Sequence, residues 1–245
     1  VAECGADAQL LSYDAGPFAP PAAGRPAPLP GAIAPEGEAS LLYTSGTTGR
    51  PKGCILSHEY ELEIGRWYAA TGGLMALREG RDRLYNPLPL FHLNAAIVSF
   101  FGMMLTGNCQ IATERFSARK WWAEIRETRA NAAHYLGVIA PVLLNLPEGP
   151  DDRDHGVRWA AGAGIEPTIH KRFEDRFGFP MVEVWGMTEF CRILADADEP
   201  RHVGKRAIGR PRPGLEVRVV DDRDADVPVG EPGEMLVRHS AATPS

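Results

Sequence analysis

The sequence predicts an α/β protein: a layered α/β large domain, incomplete in this chain, with a short antiparallel β appendage near its C-terminus. Three observations carry that prediction. Strand-like and helix-like segments alternate through the middle of the chain, helix start and stop residues stand where the periodicity changes, and beyond Pro211 short strands are joined by an Asp-, Pro- and Gly-rich loop.

Residues 15 to 35 hold seven of the 21 prolines. Proline fixes φ and lacks an N–H, so this stretch is an extended connector, and structure before it reduces to the short apolar Leu10-Leu11-Ser12-Tyr13. Packed structure is expected from about Ala39. Leu41 to Thr44 is an apolar run ending in a Gly-rich turn. Tyr60, Ile64, Trp67, Tyr68 and Thr71 then recur at helical spacing after Ser57, a candidate N-cap, giving strand, loop, helix. Cys109 to Thr113 reads as a strand and Ser117 to Arg129 as a helix whose Trp121, Trp122 and Ile125 share a face. Ala133 to Gly137 is a further strand. Pro167 opens a helix with Ile169, Phe173 and Phe177 on one side, Gly178 closes it, and Met181 to Trp185 is the next strand. Glu216 to Val220 and Glu234 to Arg238 form the β appendage. The expected organisation is a partial N-terminal segment and connector (1–38), an α/β core (39–210) and the start of a β-rich subdomain (211–245), without internal repeats.

Composition excludes several classes. With 44% hydrophobic and 24% charged residues the chain is globular rather than disordered. Its 26 Lys+Arg against 32 Asp+Glu give a net charge of -6, which argues against a protein devoted to nucleic acid or anionic membranes and leaves room for a local basic site. The longest nearly apolar run, Ala95 to Leu105, is too short to span a bilayer as a helix. The first 20 residues carry Glu3, Asp7 and Asp14 rather than a secretory signal, so the chain reads as cytoplasmic. Cys4, Cys54, Cys109 and Cys191 lie far apart and read as free thiols, with no zinc or disulfide pattern.

The chemistry concentrates in Tyr43-Thr44-Ser45-Gly46-Thr47-Thr48-Gly49-Arg50-Pro51-Lys52-Gly53. Glycines let a ligand approach the backbone, hydroxyls supply donors, and Arg50 with Lys52 adds positive charge, a combination suited to a polyphosphate between a strand and a helix. A flexible surface turn would use many of the same residues. The spacing is not that of the common nucleoside-triphosphatase loop, because Gly53 rather than Ser or Thr follows the lysine.

Tyr43 to Gly53 resembles, residue for residue, the signature loop of the adenylate-forming superfamily, which includes acyl- and aryl-CoA synthetases, peptide-synthetase adenylation domains and beetle luciferases. Further resemblances follow in family order: Pro89-Leu90-Phe91-His92 to the acyl-pocket motif, Gly162-Ala163-Gly164 to the small-residue turn beside adenine, and Trp185-Gly186-Met187-Thr188-Glu189 to the aromatic-Gly-x-Thr-Glu motif. Ile208-Gly209-Arg210-Pro211 with Pro213-Gly214, and Gly230-Glu231-Pro232-Gly233-Glu234, resemble later structural motifs of the large domain.

The resemblance implies ATP and Mg²⁺ as cofactors, coenzyme A as co-substrate and a small carboxylic acid as substrate. Thr44, Ser45, Gly46, Thr47, Thr48, Gly49 and Lys52 would hold the β- and γ-phosphates. Ala163, Gly164 and Ile165, with Glu183, Val184, Trp185, Gly186 and Met187, would line the nucleotide, and Thr188 would touch the α-phosphate. Ile165 stands where relatives often carry Pro, and Trp185 where they often carry Tyr. Trp185 either lies against adenine or is a core residue at a strand end. Glu189 would ligate Mg²⁺ through a hard carboxylate oxygen; out of context it would be an ordinary exposed glutamate. His92 would sit near the substrate carboxylate as donor or gate, the alternative being a satisfied core histidine. Lys52, Thr188, Glu189 and His92 are thus the expected catalytic residues.

The stretches Phe116 to Trp122 and Ile208 to Val220 resemble the branch acting on small or medium acids, such as carnitine-type or fatty acyl-CoA ligases. The expected reaction is acid plus ATP to acyl-AMP and pyrophosphate, then CoA displacing AMP. The alternatives are loading of a carrier protein and a non-catalytic nucleotide-binding fragment. Family members carry a further C-terminal domain with a mobile lysine, so the 245-residue chain alone is expected to be weakly active or inactive. No nucleic acid and no membrane span are expected, and a homo-oligomer is left open.

Overall fold

The computed structural model describes residues 34–44 and 49–239, with the Cys191 side chain outside that description. The leading segment, including Leu10-Leu11-Ser12-Tyr13, Cys4 and most of the Pro-rich connector, lies outside the described residues, as do Ser45, Gly46, Thr47, Thr48 and the last six positions.

The sequence is an alternation of strands and helices because the chain repeatedly crosses one sheet. β1 (Glu38–Thr44) and β2 (Lys52–Ser57) pair antiparallel, with Thr44 opposite Lys52 and Tyr43 opposite Gly53. The expected strand, loop, helix is therefore strand, loop, strand, helix: the Gly-rich segment links two antiparallel strands, not a strand and a helix. Cys54-Ile55-Leu56 is long enough to pair only because β1 supplies its hydrogen-bond partners. Helix α1 (His58–Ala69) follows without a gap; the Ser57 side chain accepts from Tyr60 N–H at 3.1 Å, the expected N-cap. Two remaining N-terminal N–H groups of α1 donate to the Gly37 and Pro35 carbonyls, tying the strand approach to the helix start.

The central sheet comprises β3 (Arg83–Asn86), β4 (Cys109–Ala112), β5 (Ala132–Leu136), β6 (Ala160–Ala163), β7 (Met181–Met187) and β8 (Phe190–Ala195) in the order β4-β3-β5-β6-β7-β8. The first five strands are parallel neighbours and β8 returns antiparallel to β7. Between them run α2 (Ser99–Leu105), entered through a π turn at Asn94–Val98, and α3 (Ala118–Thr128), α4 (Ile139–Leu144) and α5 (Pro167–Phe177). Helix α3 ends on Arg129 and α5 on Gly178, both left-handed, as helix C-termini favour.

Period-2 alternation along the strands sends successive residues to two cores. Tyr85, Ala133, Tyr135 and Met181 face Trp121, Ile125, Leu143, Phe173 and Phe177 of α3, α4 and α5. Leu84, Ala132, Ala161 and Val182 face Ile64, Tyr68 and Met103 of α1 and α2. A parallel sheet covered on both faces results. β9 (Leu215–Val220) and β10 (Glu234–His239) pair antiparallel as the expected appendage. Among the described residues no helix is long and apolar enough to cross a membrane. Cys54 and Cys109 are free thiols.

Candidate functional site

In a parallel sheet, ligands bind beyond the carboxyl ends of the strands, beside the point where strand order reverses. Here the order reverses at β3, whose neighbours are β4 on one side and β5 on the other. A cavity of 110 Å³ opens at these ends, lined by His92 and Asn94 after β3, Leu136 ending β5, Ala163 ending β6, and Val184, Trp185 and Gly186 near the end of β7. Residues separated by more than 90 positions in sequence thus share one wall system because each follows a strand of the same sheet.

Thr188 and Glu189 form the two-residue turn of the β7–β8 hairpin, with Met187 opposite Phe190. The Thr188 carbonyl accepts from the Tyr60 hydroxyl at 2.8 Å and from the Cys54 thiol at 3.8 Å, so α1 and β2 anchor the turn. Burial, followed by the nearby Glu189 charge, pushes the Cys54 thiol up, which keeps it protonated and a donor. Lys52 stands two residues before Cys54 on the same strand, exposed at the exit of the Gly-rich loop. The loop, the Thr-Glu turn and the cavity therefore lie on connected elements. Ser45, Gly46, Thr47 and Thr48 of that loop are outside the described residues; Thr44 is half-buried and Gly49 exposed at its two ends.

Glu189 is exposed and makes no ion pair or hydrogen bond among the described residues. No cluster of three or more His, Cys, Asp or Glu suited to a metal occurs among the described residues. A single carboxylate without a protein partner fits Mg²⁺, which commonly takes one or two protein carboxylates and fills the remaining positions with water and substrate oxygens.

The small-residue segment is not wholly a turn: Ala160–Ala163 is strand β6, and the bend comes at Gly164, with φ +81°. Ala163 and Gly164 are exposed, whereas the Ile165 side chain is in the core. The buried Glu183 carboxylate accepts from the Gly164 and Ile165 N–H groups and from the Tyr135 hydroxyl, pinning this bend from below. Gly137 packs so closely on it that an added Cβ would lie 1.8 Å from the Gly164 oxygen. Trp185 is half-buried on the cavity wall, unlike Trp121 and Trp159, which are fully enclosed. Met187 is 40% exposed beside the turn.

His92 is exposed rather than a core histidine. Its Nδ1 accepts from the Asn94 N–H at 3.3 Å, leaving Nε2 as the protonated nitrogen of the neutral ring. The core histidine of the site is instead His134, 1% exposed on β5 and beneath the cavity. It contacts the Tyr68 hydroxyl at 2.8 Å and the Asn94 Oδ1 at 2.6 Å, and burial pushes its imidazolium down to about 3. Sequence reading passes over His134 because its partners stand on α1 and after β3; a polar residue inside the Ala132-to-Leu136 strand was the available signal.

The sequence matches the AMP-binding enzyme family over residues 5–244. This chain belongs to the AMP-binding enzyme family. Within the family it is 34% identical to the medium/long-chain-fatty-acid–CoA ligase FadD6 of Mycobacterium tuberculosis, covering 100% of this chain and 43% of that protein. It is 30% identical to the crotonobetaine/carnitine–CoA ligase of Salmonella paratyphi A, covering 84% of this chain and 40% of that one. The structure of a benzoate CoA ligase from Burkholderia xenovorans LB400 superposes with TM-score 0.74 over 85% of this chain and 42% of its own, at 24% identity, which shows the shared fold. The chain thus spans less than half the length of these relatives.

Proposed function

We propose that this chain is the central part of an acid:CoA ligase that activates a carboxylic acid with ATP, forming an acyl-AMP and pyrophosphate, before coenzyme A takes the acyl group as a thioester. The observation that supports it most is the meeting of three distant motifs: the hairpin ending at Thr44 and restarting at Lys52, the Thr188–Glu189 turn held by Tyr60 and Cys54, and the cavity walled by His92 and Trp185. The similarity to CoA ligases named above supports the same reading.

Attack of a carboxylate on the α-phosphate brings anions together, so the site must screen charge and align the nucleophile with the departing pyrophosphate. Lys52 and the Gly-rich turn hold the β- and γ-phosphates and Thr188 the α-phosphate. Ala163 and Gly164 leave the backbone open to the purine, with Trp185 beside it. The His92 Nε2–H donates to the acid. Mg²⁺, held by Glu189, supplies charge neutralisation at the phosphates when bound.

Acid-dependent exchange of labelled pyrophosphate into ATP by the intact protein tests the reading. Lys52→Ala and Glu189→Ala should each lower exchange by about a hundredfold, the scale for losing one electrostatic contact to the transition state. Full exchange in both variants would overturn these roles, and no exchange with any acid would overturn the proposed activity.

A further inference from the structure

One backbone N–H fixes the polarity of the buried network under the cavity. Leu88 N–H donates to Asn86 Oδ1 at 3.1 Å, so the Asn86 amide nitrogen faces the other way and donates to Ser99 Oγ at 2.9 Å and Asn94 Oδ1 at 3.0 Å. Asn94 Oδ1 lies 2.6 Å from His134 Nδ1; a ring nitrogen that close to an amide oxygen carries its proton. Asn86 Nδ2 and His134 Nδ1 are 3.3 Å apart, two donors converging on one acceptor. His134 Nε2 is then the bare nitrogen, and it accepts from the Tyr68 hydroxyl at 2.8 Å.

With its oxygen doubly engaged, Asn94 has only its NH₂ left to offer. That group has no hydrogen-bond partner among the described residues, and Asn94 stands in the cavity wall two residues from His92. The rest of the enclosure is mostly apolar: Met75, Leu93, Val98, Ala161, Val184 and Ile193. A plain alkyl chain filling it would strip water from the NH₂ and give nothing back, whereas an oxygen on the chain would replace that water.

We propose that the Asn94 NH₂, aimed by Asn86 and His134, is a substrate-recognition donor, so that the site selects carboxylic acids bearing a hydroxyl or carbonyl oxygen on the acyl chain. Asn94 binds substrate; His134 is a positioning residue acting through Asn94. The inference rests on the ligase reading above and deepens it.

The test is acid-dependent pyrophosphate exchange by the intact protein with matched acids: butanoate against its β-hydroxy analogue, and hexanoate against its β-, γ- and δ-hydroxy and oxo analogues. The unaltered protein should favour the best oxygenated member by about tenfold in kcat/KM, the discrimination expected of one neutral hydrogen bond. Asn94→Leu should abolish the preference, bringing kcat/KM for the oxygenated acid down to that of the plain acid in the same variant. His134→Gln keeps a donor for Asn94 and an acceptor for Tyr68 and should retain most of the preference; His134→Leu should lose it. Thermal unfolding of each variant identifies a folding failure, and Asn94→Asp, which replaces the donor by an acceptor at equal size, then carries the test with the same predicted loss. Exchange with plain and oxygenated acids at equal kcat/KM, or a preference surviving in Asn94→Leu or Asn94→Asp, overturns the inference and leaves the ligase reading standing. No exchange with any acid overturns both.

Discussion

Replacing His134 by Gln should remove a specific acid sensitivity of the fold. In the folded protein the imidazolium of His134 is pushed down to about 3 by burial, against an ordinary value near 6.5. Between these two values the unfolded chain binds a proton that the folded chain refuses. Stability therefore rises with pH across this window and is lost as pH falls through it. At pH 5 the loss relative to neutral pH is about 2 kcal/mol, and this figure changes little so long as the folded group titrates well below 5. Glutamine donates to Asn94 Oδ1 and accepts from Tyr68 as the imidazole does, so the variant keeps the network without the proton-binding site. Other groups titrate in both proteins and cancel. Glu174 is pushed up by burial, but hydrogen bonds from His170, Arg201 and the Met181 N–H outweigh this and bring it to about 2, so its contribution falls away only below the normal carboxylate range. Urea unfolding at pH 7.5 and pH 5 gives the comparison: the parent protein should lose about 2 kcal/mol more than His134→Gln. Equal losses would show that His134 is not held neutral in the fold, and the bare Nε2 that accepts from the Tyr68 hydroxyl would fall with it.

Two further changes test the frame around the site. Gly137→Ala should destabilise by about 3 kcal/mol or more in urea, and weaken binding of a non-hydrolysable ATP analogue, because the new Cβ would meet the Gly164 oxygen at 1.8 Å and push the bend off β5. Asp82→Asn should cost about 3 kcal/mol: its fully buried carboxylate receives Arg78 Nη2 at 2.7 Å and Arg158 Nη2 at 2.8 Å, and the neutral amide leaves both cations without their counter-charge.

The elements readable from sequence are those whose signals are local. Helix α1 announces itself through Ser57 and a 3.6-residue apolar period, and α5 through Pro167 and Gly178. Strands β2, β3, β6 and β8 are not announced, because what makes them strands is their neighbours. Ala160-Ala161-Gly162-Ala163 has weak strand propensity, yet Gly162 is required there: a Cβ would meet the Tyr135 oxygen at 2.1 Å on the adjacent strand. β8 follows a Thr-Glu turn rather than an Asn-Gly or Asp-Gly one, so the hairpin carries no standard signal.

The site divides in the same way. Thr188, Glu189, His92 and Trp185 stand in recognisable motifs, and the sheet brings their strand ends together. Tyr60, Tyr68, Asn94 and His134, which anchor the turn and orient the cavity wall, are single residues on separate elements whose partners lie between 40 and 128 positions away. Their roles exist only after folding. Glu183 is intermediate: it falls in a motif region, and its buried carboxylate holds the Gly164 bend.

The most direct measurement is a crystal structure of the intact protein with a non-hydrolysable ATP analogue and magnesium. The triphosphate should lie along the segment from Thr44 to Lys52, the metal within bonding distance of the Glu189 carboxylate, and the base beside Trp185. A nucleotide bound on another face, with that segment and Glu189 untouched, would contradict the account.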